Sequence, residues 1–342
     1  MGRKATSIMV LMRYLIRGIL LYQKQVYQGI IFNQMNRVKA YLELIRYPLF
    51  GIPIVATLPG ALIASEGQWT WRVAAALVIA MFGYFAGMIK NDYFHRETDV
   101  VTNPDRPLPS LRLTPKQALV PASIIYALCV ICGFLLSIKA GLLVMALVAI
   151  SHLYNAFFKA QGILGSLTLP LGIGLLNVFG ALVVTGSIPR LVWYAFGATT
   201  LYDLGTHITT TFKDITRDQK QGITTTPVQL GIKPALILSA ASTISAFVVA
   251  LLPYWLEDSL IHKTYILWII LGVLATIITR IPLFMQPNEK NGYYALKGSM
   301  IGSILFFPCL FGTQVPLVVS MAVILPLLLV TMLLLKTTRQ EV

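Results

Sequence analysis

The sequence predicts an all-α, polytopic membrane protein. Of 342 residues, 56% are hydrophobic and only 12% charged, more apolar side chain than one soluble core of this length absorbs. Apolar runs of roughly 18 to 25 residues recur from Tyr47 to Leu335, each long enough to cross a hydrocarbon layer of about 30 Å as a helix. Lysine and arginine gather in alternate connections between those runs, the charge asymmetry of a threaded chain.

The expected membrane segments are 47–65, 70–90, 117–138, 140–157, 163–186, 191–212, 234–254, 264–285, 295–313 and 315–335. Joined in order, they put the N-terminus, Arg96, Arg106, Arg112, Lys116, Lys159, Lys213, Arg217, Lys220, Lys233, Lys290 and Lys297 on one side. The positive-inside rule makes that side cytoplasmic, and the last crossing returns Lys336 and Arg339 to it. The expected host is the plasma membrane of a prokaryote, with an organelle membrane as the alternative. Glycines inside the segments, among them Gly83, Gly87, Gly172 and Gly174, are expected to let helix backbones approach.

Residues 1–40 form a basic segment whose apolar stretch is interrupted by Arg13 and Arg17. That excludes a clean signal peptide and suits an amphipathic helix on an anionic membrane surface; an organelle transit peptide is the other reading. Residues 41–313 are expected to form the central transmembrane unit, and 314–342 an additional helix and tail. The formal charge of +14 is spread through short loops without a contiguous basic domain, which argues against a nucleic-acid partner. Cys129 and Cys132 have CxxC spacing but lie in an apolar run, with nothing nearby to complete a zinc site.

Two acidic clusters break the apolar pattern. In GMIKNDYFHRETDVVTNPDRPLPS, Gly87 to Ser110, Asn91, Asp92, His95 and Asp99 recur at spacings of three, four and seven and share one face of a helix end. In FKDITRDQKQGITTTPVQLG, Phe212 to Gly231, Asp214 and Asp218 are four apart and project together. A single aspartate at a membrane boundary reads equally well as a solvated helix end. Two matched clusters of mutually repelling carboxylates instead favour an intervening divalent cation, for which magnesium is the best candidate. Magnesium commonly links one or two carboxylates to substrate phosphates, so a metal-bridged diphosphate is the ligand implied. Arg96, Arg106, Lys159, Lys213 and Arg217 lie in the same loops and complete an anion trap. Phe82, Tyr84, Phe85, Tyr154, Phe157, Phe158, Phe179 and Phe212 are candidates for the walls of a hydrocarbon cavity, where aromatic faces stabilise a cation.

At these residues the chain resembles a known family. NDYFHRETDVVTNPDRPLPS is similar to the NDxxDxxxD signature and PDRPxPS loop of UbiA-type intramembrane prenyltransferases, and KDITRDQKQGI to the family's second DxxxD signature. Leu153-Tyr154 through Lys159 resembles its tyrosine and lysine loop, and the likeness extends over about residues 41 to 313. The resemblance implies nine transmembrane helices around a central cavity open to lipid, with the tenth as an addition. It also implies that Asn91, Asp92, Asp99, Asp214 and Asp218 hold magnesium and diphosphate, that Arg106 and Lys159 assist with phosphate charge, and that Tyr154 lines the pocket. Two departures stand out: His95 occupies the place of the central aspartate, and Tyr154 to Lys159 is one residue longer than the YxxxK form. Imidazole is a poor ligand for hard magnesium, so His95 is read as a phosphate contact, an acid or base, or a tolerated substitution.

The leading reaction is transfer of a prenyl group from an allylic isoprenoid diphosphate to an aromatic or other lipid-precursor acceptor, assisted by magnesium. A membrane terpene cyclase acting without an acceptor is the alternative. A non-catalytic transporter is the more distant one, because transport sites favour the membrane midplane and these acids lie at one face.

Overall fold

The computed structural model describes residues 36–256 and 263–337. The expected surface helix of residues 1–40 falls almost wholly outside them. After a helix α1 (36–44), the long elements are α2 (Gly51–Ala64), α3 (Trp71–Thr102), α4 (Pro115–Leu136), α5 (Ile138–Leu153), α6 (Ile163–Val184) and α7 (Arg190–Thr211). Short α8 (Ile215–Gln221) and α9 (Thr226–Leu230) precede α10 (Ile232–Leu256), α11 (Ile266–Met285), α12 (Glu289–Phe306) and α13 (Leu317–Thr337). Among the described residues, nine helices are long and apolar enough to cross a membrane, each matching an expected segment. The remaining expected segment, 191–212, is α7, whose composition is too polar to meet that criterion.

Local sequence sets the helix ends. Thr114 forms a capping box with Gln117, and Pro115 occupies the first turn of α4, where its missing N–H costs nothing. Thr70 accepts from the Val73 N–H at the start of α3, and Asn288 caps α12 through the Asn291 N–H. Helix α3 outruns its expected segment by a full acidic stretch, in which Asn91, Asp92 and Asp99 find partners beyond the helix.

Neighbouring helices pack in sequence, α3 on α4, α4 on α5, α6 on α7 and α11 on α12, while α2 lies against α6 and α7 against α10. Helix α2 meets α6 at glycine: a Cβ on Gly60 would lie 1.7 Å from the Asn177 carbonyl, and one on Gly180 2.6 Å from that of Thr57. Helix α12 is 89% buried along its apolar window and α13 only 17%, so α12 closes the bundle and α13 is the peripheral addition. Leu335 docks it on Leu49, Leu296 and Met300.

Of the four glycines expected to pack helices, only Gly174 does so tightly, with Thr200 Oγ1 1.9 Å from where its Cβ would be. Gly83, Gly87 and Gly172 instead line the cavity described below, and at Gly83 nothing lies within 4 Å.

Candidate active site

The bundle encloses a cavity of about 590 Å³, apolar along most of its wall and charged at one end. Helix α3 supplies one wall at helical spacing: Ile79, Gly83, Gly87, Asn91, His95 and Asp99 all line it. Over Ile79 to Asp99 that stripe runs about 30 Å. Opposite it, His207 and Thr210 of α7 lead to Lys213, Asp214, Arg217 and Asp218. The two acidic clusters, more than a hundred residues apart in sequence, thus share one chamber.

Each carboxylate has a cationic neighbour. Arg106 donates to Asp99 at 2.9 Å, and Asp99 also accepts from Asn103 at 2.7 Å and Thr102 at 3.2 Å. Arg217 pairs with Asp214 at 2.9 Å and stands 4.0 Å from Asp218. Asp92 lies behind the lining: its buried carboxylate accepts from Arg46 at 3.0 Å and sits 3.6 Å from Arg106. It holds two cations of the chamber in place without facing it. Arg96 is also outside the lining, paired with Glu97 at 2.8 Å and stacked 4.6 Å over Tyr93.

Asn91 donates to Asn155 at 2.7 Å and accepts from Lys159 at 3.2 Å, while Asn155 donates to the Ser151 carbonyl at 2.9 Å. This chain fixes the amide of Asn91 and the ammonium of Lys159. The extra residue between Tyr154 and Lys159 is absorbed by a single π-helical turn, Tyr154–Phe158, closed by the Lys159 N–H on the Tyr154 carbonyl at 2.9 Å. Both side chains consequently line the cavity.

A two-residue parallel bridge, β1 (Gln161–Gly162) to β2 (Thr224–Thr225), ties the loop after Lys159 to the loop after Asp218. Gln229 accepts from the Ile163 N–H at 2.8 Å and Ser166 bonds Thr226 at 2.7 Å, which adds to the tie between the two segments.

Withdrawal from solvent, reinforced by Arg46 and Arg106, brings the Lys159 ammonium down to about 7. Burial likewise lowers Lys213 to about 8. Burial and then Asp214 push the Asp218 carboxyl up to about 6. A carboxyl raised in this way by burial and a neighbouring carboxylate offers its oxygens to a hard cation. Among the described residues no three acidic, histidine or cysteine side chains form a closed metal cage. Asp99, Asp214 and Asp218 are hard oxygen donors at the charged end of the chamber, the donor type that magnesium takes.

Of the eight candidate aromatics, Tyr84, Tyr154 and Phe179 line the chamber, Phe82 and Phe157 are exposed on the outer surface, Phe85 and Phe158 are half-buried outside the lining, and Phe212 is core. Arg46, Asn155 and His207 were not among the expected residues. Asn155 adjoins Tyr154 in sequence, and His207 is a polar residue inside a membrane segment, a signal of function in itself. Arg46 has no such flag; it reaches Asp92 from a backbone at φ 50 between α1 and α2.

Membrane-length helices around a chamber with an apolar barrel and a charged end define a polytopic membrane protein with an amphiphilic cavity. Residues 54–301 match the UbiA prenyltransferase family. The digeranylgeranylglyceryl phosphate synthase of Methanothermobacter thermautotrophicus is 31% identical over 204 residues, 59% of this chain and 70% of that one. The Sulfurisphaera tokodaii enzyme of that name is 26% identical over 79% of this chain and 97% of its own. A solved structure of digeranylgeranylglyceryl phosphate synthase superposes with a TM-score of 0.66 at 23% identity, covering 82% of this chain and 99% of that one. A UbiA homologue from Archaeoglobus fulgidus bound to GPP and Mg²⁺ superposes at 0.61 with 16% identity, over 79% and 99% of the two chains. The chain belongs to the UbiA prenyltransferase family and is an integral membrane prenyltransferase.

Proposed function

We propose that the protein transfers a prenyl group from an allylic isoprenoid diphosphate to the hydroxyl of a lipid-like glyceryl phosphate, with release of diphosphate. The observation that carries this reading is the meeting of Asp99 with Asp214 and Asp218 around one chamber whose wall is otherwise mostly apolar. The names of the curated relatives, which describe a product bearing two geranylgeranyl groups on glyceryl phosphate, support the choice of acceptor.

Asp99, Asp214 and Asp218 would hold magnesium, and the bound ion would draw charge from the departing diphosphate. Arg106, Arg217, Lys159 and Lys213 present positive charge to the phosphate oxygens. Asn91 and His95 face the same space, His95 with its buried Nε2 unbonded among the described residues. Asp92 orients Arg46 and Arg106. Tyr84, Tyr154 and Phe179 wall the prenyl chain and offer π-faces to positive charge developing at its first carbon. The charged end belongs on the cytoplasmic side, with residues 41–313 as the catalytic unit and 314–342 appended to it.

Purified protein incubated with labelled geranylgeranyl diphosphate and magnesium, with and without geranylgeranylglyceryl phosphate, tests the reading. Acceptor-dependent ether product is expected, and Asp214→Asn should abolish it. A cyclic hydrocarbon formed without acceptor would establish the cyclase instead, and intact donor under all conditions would refute catalysis.

A further inference from the structure

Ether formation leaves a proton to be removed. As the hydroxyl oxygen bonds to the first prenyl carbon, that carbon's bond to diphosphate breaks and the electron pair leaves with the diphosphate. The hydroxyl proton must then pass from the new ether oxygen to a base in the chamber. The carboxylates Asp99 and Asp214 are engaged by arginines at the charged end, and Lys159 donates to Asn91.

His207 differs from them in place and in partners. It lines the cavity from α7, its ring edge-on to Tyr154 with centroids 6.4 Å apart. No hydrogen bond or ion pair engages its ring nitrogens among the described residues. It precedes Asp214 by seven positions, so it sits about 10 Å below the carboxylates along the helix, on the hydrocarbon side of the phosphate site. His95, by contrast, lies on α3 one turn from Asp99, level with the phosphates.

We propose that His207 is the catalytic base that accepts the acceptor's hydroxyl proton, and that Tyr154 positions its ring. The assignment rests on the reading of the chain as a transferase to an alcohol. It makes the Tyr154–His207 wall the acceptor subsite, where an alcohol must present its oxygen.

The test uses the full chain in lipid nanodiscs with geranylgeranyl diphosphate, magnesium and geranylgeranylglyceryl phosphate, comparing wild type with His207→Ala and His207→Gln. Both variants should lose on the order of 10²- to 10⁴-fold in kcat. Each should still bind a non-reactive geranylgeranyl thiolodiphosphate as wild type does, which reports an intact fold and donor site. Added imidazole should restore part of the His207→Ala rate and none of the His207→Gln rate, whose side chain fills the space. Either variant turning over at the wild-type rate overturns the assignment, as does a parallel loss of rate and analogue affinity in both, which would make His207 a donor-binding residue. A wild-type enzyme that forms no ether sinks the functional reading and this assignment with it, whereas ether formation indifferent to His207 sinks this assignment alone.

Discussion

Lys159 gives the donor site a pH dependence whose direction can be worked out. In the empty chamber its ammonium titrates at about 7, because burial and the cations Arg46 and Arg106 disfavour the charge. A bound diphosphate reverses that balance and holds the proton on. Below pH 7 Lys159 is charged before and after binding, so donor affinity is full. Above pH 7 the empty site has lost the proton and must recover it, which weakens binding about tenfold for each pH unit. Lys213, at about 8, adds a second proton above that pH and steepens the fall. Calorimetric titration of a non-reactive prenyl thiolodiphosphate at pH 6, 7, 8 and 9 reads the slope directly. Lys159→Arg keeps its charge throughout, so between pH 7 and 8 its affinity should fall only about twofold, through Lys213, while wild type loses about tenfold. Titration of the ligand itself is common to both proteins and cancels. Equal slopes for the two proteins over that interval would refute the placement of the titrating ammonium against the phosphates.

Three further outcomes follow from the same geometry. The Asp218 carboxyl, held up to about 6 by burial and Asp214, must ionise to take a cation, so the magnesium requirement of wild-type turnover should rise about tenfold per pH unit below 6 and stay level above it; Asp218→Asn should erase that slope in the magnesium dependence of thiolodiphosphate binding. Gly83 opens on empty chamber and precedes Asp99 by about 24 Å of helix, so Gly83→Phe should cut turnover of geranylgeranyl diphosphate while sparing geranyl diphosphate, read by chain-length competition. Gly60→Ala drives a methyl into the Asn177 carbonyl and should destabilise the fold by about 1 to 3 kcal/mol, lowering the unfolding temperature in detergent, whereas Gly83→Ala should not.

Helix number and order were legible because a membrane segment announces itself by length and apolarity, and the acidic signatures because charge is costly there. Side-chain direction was less so. Asn91, Asp92, His95 and Asp99 do share one side of α3, but only Asn91, His95 and Asp99 face the chamber; Asp92, one position from Asn91, points to Arg46. That distinction depends on a partner from a separate element, which no local pattern encodes. The π turn after Tyr154 was hidden for a related reason: sequence spacing registers the added residue but not the widened turn that returns Lys159 to the same wall. Among glycines, composition gave no means to separate Gly174, pressed on Thr200, from Gly83, which opens on the chamber.

The polarity of α7 has a consequence for threading parity. Four crossings, α4 to α7, separate the end of α3 from the end of α7, and an even number brings both acidic ends to the same face. Discount α7 for its threonines, Asp203 and His207, and the count becomes odd, stranding the two halves of the phosphate site across the bilayer from each other. The helix affords those residues because protein rather than lipid surrounds it: Tyr202 bonds Thr276 at 2.7 Å, Thr209 bonds Ser239 at 2.7 Å, and Arg280 reaches Thr206 at 2.7 Å. The least lipid-like span is thus the one on which the assembly of the site depends.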